Sequence, residues 1–313
     1  MSGGNRIQTG DDARAELDQQ KRQTTSRREL AKHQGFDDVS PGLGELDTQA
    51  FEKALGDNAD EALGMLADLT GATDKVLREQ AKRLAGRLVI DVARSGPVHT
   101  RGVGRLRNAP ATDAMGDLDL DASLEPLLIA RATGTTPALD DLRVTEWARP
   151  DTALSLVVDR SGSMGGARLA AAAVAAAACS WRAPNDWSLL AFSSSVIVIK
   201  DQTTFRSPGD IVDDIFCLRG HGTTDVALAL KASRDLLATS RAKRRLTILL
   251  SDGRPTTGED PVDIARTLDE LCIIAPAEDC EDAAELADAV GARWVPLVGP
   301  AGVPAAFQSV FDR

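Results

Sequence analysis

Two hydrophobic patterns divide the chain. From residue 153 onward, short continuous apolar runs alternate with longer helical patterns. "ALSLVVD", "RLTILLSD", "CIIAP" and "RWVPLVG" are apolar on consecutive positions, as strands buried on both faces must be. Between them, "GARLAAAAVAAAACSWR", "SPGDIVDDIFCL", "DVALALKASRDLLATS", "PVDIARTLDEL" and "EDAAELADAVG" carry helical spacing, and "VPAAFQSVFD" closes the chain as a helix. "WSLLAFS" and "VIVIK" lie close enough to form a hairpin, whose outer strand is expected at the sheet edge. Ser207 before Pro208 is an N-cap with proline at the first helical position. Strand–helix alternation of this kind predicts an α/β fold: a doubly wound, mostly parallel sheet with helices on both faces.

Before residue 153 the pattern differs. Over 46–95, Phe51, Leu55, Leu63, Leu66 and Leu69, then Val76, Leu77, Leu84, Leu88 and Val89, recur at helical intervals. "TGATD" at 70–74 breaks this run, with Thr73 or Asp74 as the next N-cap. Residues 1–44 are polar with little periodicity and read as a mostly disordered or partly helical tail. The expected organisation is therefore a 1–44 tail, a small helical region at 45–110, an acidic linker with a preceding strand at 111–151, and an α/β domain at 152–313.

Composition narrows the class. The 313 residues are 43% hydrophobic and 27% charged, enough for a substantial core. No apolar run is long enough to span a bilayer, and the N-terminus has no apolar leader, so a cytoplasmic protein is expected. A net charge of −11, 4% aromatic residues and no tyrosine argue against nucleic-acid binding. The charge is uneven: nine Lys/Arg against three Asp/Glu over 74–107, then eight Asp/Glu against two Arg over 110–146. Such blocks are solvated surfaces or a docking surface. Cys179, Cys217, Cys272 and Cys280 have no zinc-ligand spacing and read as buried free thiols. Trp181, Trp187 and Trp294 read as core or helix-packing residues.

Candidate chemistry gathers at strand ends. In doubly wound sheets, sites form beyond the carboxyl ends of the strands. Two strands here end in aspartate, at Asp159 and Asp252, so both carboxylates should emerge on one edge. "VVDRSGSMGG" sets Asp159, Ser161 and Ser163 at alternate positions, and "RGHGTTDVALAL" brings Thr223 and Thr224 to the start of a helix. Taken alone, the first stretch fits a polar turn, a phosphate cradle at a helix N-terminus, a nucleophile elbow on Ser163, or a metal loop. The elbow reading needs a late histidine, and the histidine that follows Ser163 is His221. The metal reading needs hard oxygen donors, and Asp159, Ser161, Ser163, Thr224 and Asp252 supply oxygens alone, which favours Mg²⁺ over zinc or copper.

"DRSGS", "GTTD" and "LLSDG" together resemble the metal-ion-dependent adhesion site of von Willebrand factor A-type domains, over about 152–313. The resemblance implies a Rossmann-like sheet with a divalent ion, Mg²⁺ or else Mn²⁺ or Ca²⁺, held by Ser161, Ser163 and Thr224, with Asp159 and Asp252 acting mostly through water. It also implies a non-enzymatic role, in which a partner's acidic side chain completes the ion's shell. Met164 after the motif resembles the intracellular subgroup containing the magnesium-chelatase D subunit and the CoxE-like proteins encoded beside MoxR-type AAA+ ATPases. That subgroup implies a MoxR-type ATPase as partner, since no phosphate-binding G-x-x-x-x-G-K-[ST] loop occurs here. Arg160, inside the motif, is expected to point outward beside the ion.

Overall fold

A computed structural model of the chain describes residues 6–94, 105–111, 117–148, 152–160, 165–220 and 222–311. Two compact units result: Met1–Pro97 with Thr152–Arg313, and Val98–Asp151.

The larger unit begins with β1 (Ile7–Gln8), α1 (Gly10–Lys21), α2 (Arg27–Leu30) and α3 (Phe36–Val39). The expected tail is therefore built into the fold from residue 6. Ala13, Leu17, Leu30, Phe36 and Val39 are all buried in the main core. Their spacing is too irregular to announce one long helix, because three short elements share the burial. Next come α4 (Thr48–Asp57), α5 (Ala59–Leu69) and α6 (Lys75–Arg94). Asn58 splits the first helical run by capping α5 through its side chain to the Glu61 N–H. Asp74 is the cap of α6, accepting from the Val76 and Leu77 N–H groups at 2.9 and 3.2 Å.

The smaller unit contains β2 (Arg105–Pro110), β3 (Asp117–Leu118), α7 (Leu120–Thr133) and β4 (Arg143–Ala148). It is a three-stranded antiparallel sheet in the order β2-β4-β3, with Asp119 capping α7 at the Ala122 N–H. The charge-rich linker expected at 111–151 thus belongs to a small α+β unit.

The chain returns to the larger unit with β5 (Thr152–Asp159), α8 (Gly166–Arg182), β6 (Trp187–Phe192), β7 (Val196–Lys200) and α9 (Pro208–Cys217). There follow α10 (Val226–Leu237), β8 (Arg244–Leu250), α11 (Pro261–Ala265), β9 (Glu270–Pro276), α12 (Glu281–Val290), β10 (Arg293–Leu297) and α13 (Val303–Phe311). The sheet runs β1-β7-β6-β5-β8-β9-β10, parallel throughout except for the β6–β7 hairpin. This is the α/β architecture expected from the strand–helix alternation. The hairpin strand does not end the sheet, however. β1 adds outside β7 in parallel, pairing Ile7 with Val196 and Gln8 with Ile197. Two residues sufficed for this, too few to produce a sequence pattern.

α8 explains its own alanines. It lies between the sheet and α5, α6, α9 and α13, with Leu169 through Cys179 all buried. A helix apolar all round is buried all round. At its first residue, Gly166 meets Gly64 of α5 so closely that a Cβ would run into the Gly64 carbonyl. This contact fixes where α8 begins against α5. Trp187 is 1% exposed, as expected, but Trp181 is 50% exposed and lies under Arg94 at 4.7 Å. All four cysteines are free, and Cys217 and Cys280 are only partly buried.

Candidate metal centre

The sheet brings the two aspartates together. β5 and β8 are parallel neighbours in a register that pairs Val158 with Leu250, so both chains leave the sheet at the same edge. One residue later, the Ser251 hydroxyl donates to Asp159 Oδ2 at 2.6 Å and stands 3.5 Å from Asp252 Oδ1. Ser251 Oγ in turn accepts the Gly253 N–H at 3.0 Å. Asp252 Oδ1 accepts the Arg254 N–H at 3.0 Å, so its carboxylate is oriented by its own turn. Gly253 has φ +81°, and a Cβ there would meet the backbone of Ala283 in α12. Glycine is required on both counts, and the turn is pressed against the next helix.

Two carboxylates gathered around one hydroxyl repel each other unless a proton or a cation intervenes. Arg254, the nearest arginine in sequence, forms no ion pair with Asp252, although the two charges act on each other. Arg254 donates instead to Asp282 at 2.6 Å and Asp279 at 3.0 Å, and these partners hold its pKa above its ordinary value. Among the described residues, no Lys or Arg forms a salt bridge with Asp252. A cavity of about 70 Å³ opens beside the pair. Asp159, Ser251, Asp252 and Arg168 contribute its polar edge, and Ala171 and Leu297 are among its apolar walls.

The threonine loop is tied to this edge by backbone bonds. The Thr224 N–H donates to Thr256 Oγ1 at 2.7 Å, and Thr224 O accepts from Thr256 N at 3.0 Å and Thr257 N at 3.2 Å. The loop after β8 therefore clasps Thr224. On the other side, the Asp225 N–H donates to Ser193 O at 2.9 Å, one residue past Phe192, which pairs with Asp159. Thr224 is 4% exposed whereas Thr223 is exposed, which favours Thr224 of the doublet. The cap of α10 is neither threonine but Asp225, which accepts the Leu228 N–H at 2.9 Å.

Asp159, Thr224 and Asp252 thus lie on three loops at one sheet edge. Ser161, Ser163 and His221 lie outside the described residues. Among the described residues, no group of three His, Cys, Asp or Glu side chains forms a metal cluster. The donor set at this edge is instead two carboxylates with hydroxyls, which suits a hard divalent ion.

Arg160 corrects an expectation. It is 1% exposed and points inward, not out beside the ion. Its N–H continues the ladder to Phe192 O at 2.8 Å, so its side chain follows Leu154, Leu156 and Val158 onto the covered face of the sheet. Burial lowers its pKa, and the Glu16 carboxylate of α1 opposes that shift. Ser251 and Arg168 were not singled out from the sequence. The former sits inside "LLSDG", and the pairing of β5 with β8 brings it between Asp159 and Asp252.

A family model for the von Willebrand factor type A domain matches residues 154–254, a span that includes all five candidate ligands. The chain contains a von Willebrand factor A (VWA) domain. Similar solved structures include manganese-loaded Plasmodium vivax TRAP protein, at 19% identity over 48% of this chain and 69% of that one, with a TM-score of 0.41. A von Willebrand factor type A protein from Catenulispora acidiphila aligns at 17% identity over 54% of this chain, with a TM-score of 0.42. This chain covers 43% of that protein, less than half its length. BatB from Bacteroides thetaiotaomicron aligns at 13% identity over 50% of this chain and 98% of that one, with a TM-score of 0.39. No curated protein matches significantly. No helix among the described residues is long and apolar enough to cross a membrane.

Proposed function

We propose that this VWA domain is a Mg²⁺-dependent protein-interaction module, not an enzyme, working in the cytoplasm as the adaptor of a MoxR-type AAA+ ATPase. The observation that carries this reading is the Asp159–Ser251–Asp252 arrangement, two carboxylates drawn to one hydroxyl with no base paired to Asp252 among the described residues. Asp159, Asp252, Thr224, Ser161 and Ser163 would hold the ion. Bound there, Mg²⁺, or Mn²⁺ or Ca²⁺ in its place, supplies an open coordination position that an acidic side chain of a partner completes. Thr224 and the serines add donors without adding negative charge, which leaves the ion's charge incompletely offset. Arg168, exposed at the cavity edge, favours the approach of an acid from solvent. The adaptor role and the CoxE-like assignment rest on the "DRSGSM" resemblance.

Mg²⁺ titration calorimetry on the wild-type chain and on Asp159→Ala tests the site, and equal heats would remove it. Co-purification of a MoxR-type ATPase with and without EDTA tests the partnership. Fluorophosphonate labelling of Ser163 would overturn the non-enzymatic reading in favour of a serine hydrolase.

A further inference from the structure

The N-terminal segment reaches the loop that carries Thr224 and the β6–β7 turn beside it. Arg6 donates through Nε and Nη2 to Ser194 O at 3.2 and 3.0 Å, and its Nη2 pairs with Asp225, the residue after Thr224. Arg6 O accepts the Val196 N–H at 2.7 Å. Gln20 of α1 is 3% exposed, and its Oε1 accepts the Arg219 N–H at 3.2 Å, where the threonine loop begins. The same Gln20 donates from Nε2 to Glu16 at 2.8 Å, and Glu16 is the carboxylate whose charge acts on buried Arg160. Lys21 fastens the end of α1 to Asp214 of α9 at 2.8 Å.

Arg160 is the unusual member. Its guanidinium is buried next in sequence to Asp159, yet Nε and Nη1 have no hydrogen-bond partner and Nη2 reaches Ser195 Oγ at only 3.4 Å. A buried charge with so few bonds needs a counter-charge to stay in place. The Glu16 carboxylate of α1 acts on it through its charge alone, with no ion pair between them among the described residues. Gln8, on β1, shares this sheet face through its register with Ile197, and its Oε1 is also buried and unpartnered. Removing β1 and α1 would leave the Thr224 loop without Arg6 and Gln20.

We infer that residues 6–23 are a strap belonging to the ion site, with Arg6, Gln20 and Glu16, which orients Gln20, as positioning residues that hold the Thr224 loop in binding geometry. This rests on the metal reading above, and deepens it by assigning part of the ion's affinity to a segment outside the VWA match. Outer partners that orient ligands typically change metal affinity by about 10–100-fold.

The test titrates Mn²⁺ alone into the wild-type chain and into Arg6→Ala and Glu16→Gln, with thermal unfolding measured in parallel. The expected result is at least about tenfold weaker Mn²⁺ binding in Arg6→Ala and Glu16→Gln, partly recovered in Arg6→Lys and Glu16→Asp. A lower Tm with unchanged Mn²⁺ affinity would reduce the strap to a stability element and overturn the inference. A second measurement, hydrogen exchange over 219–225 without metal, separates the two ideas. If the wild-type chain takes up no Mn²⁺, the metal reading fails. Faster exchange in Arg6→Ala would still support the strap, and unchanged exchange would overturn it.

Discussion

Gly166→Ala sets two physical effects against each other at the exit of the "DRSGS" loop. Intrinsic propensity favours alanine in a helix by about 0.5–1 kcal/mol. Packing opposes it. The new Cβ would press on the carbonyl of Gly64, also a backbone atom of a buried helix, so no flexible side chain can swing away. Relief requires α5 and α8 to separate across the core, and overpacking of that kind costs about 1–3 kcal/mol or more. Packing should win by about 1–2 kcal/mol, a fall in Tm of roughly 2–8 °C for a unit of this size. Gly86→Ala is the matched control. Gly86 lies inside α6, and nothing stands within 4 Å of its missing Cβ. There propensity acts alone, and the variant should be more stable by about 0.5–1 kcal/mol. Urea and thermal unfolding of both variants read the two signs. If Gly166→Ala is as stable as wild type or more so, the α5–α8 contact does not constrain the loop and the argument fails. Because Gly166 lies three residues after Ser163, Mg²⁺ affinity should fall in the same variant.

Ser251→Ala removes the hydroxyl between Asp159 and Asp252 and should weaken Mg²⁺ binding by about 10–100-fold in calorimetry while leaving the circular dichroism spectrum unchanged. His33 Nε2 donates to Asp68 Oδ2 at 2.8 Å, and that bond raises its pKa above the ordinary value. A base whose folded pKa is raised stabilises the fold fully below the unfolded value of about 6.5 and loses that contribution as pH climbs through the folded value. Denaturation midpoints should therefore fall between mildly acidic and mildly alkaline pH, with a shallower fall in His33→Gln; parallel pH profiles would refute the pair. Alkylation of the native protein followed by mass spectrometry should modify Cys280 and spare Cys179 and Cys272, since burial raises both thiols, Cys272 to about 11.

Much of the fold was legible because its signals are local. Continuous apolar runs announced β5, β8 and β9, and caps announced α9 at Ser207 and α6 at Thr73 or Asp74, of which Asp74 is the cap. The candidate site was legible in part for the same reason: Asp159 and Asp252 each follow a strand, and parallel strands deliver their ends to one edge. What escaped was non-local or too short. β1 is two residues, so its pairing with β7 has no pattern to read. Asn58 split α4 from α5 although the apolar spacing runs through it.

The sequence by itself determined the class of architecture, the five oxygen-bearing candidates and the acidic, tyrosine-free composition that argues against nucleic acid. Tertiary structure decided which of the surrounding residues stand beside those candidates. Ser251 became the hydroxyl between two carboxylates only when β5 and β8 were set side by side. Arg160 turned inward because period-two alternation carries Leu154, Leu156 and Val158 onto the covered face and Arg160 after them. The polar first residues became structure because Arg6 and Gln20 find partners nearly 200 positions away. Propensity and periodicity act over a few residues, whereas pairing of buried charges depends on which surfaces the folded chain brings into contact.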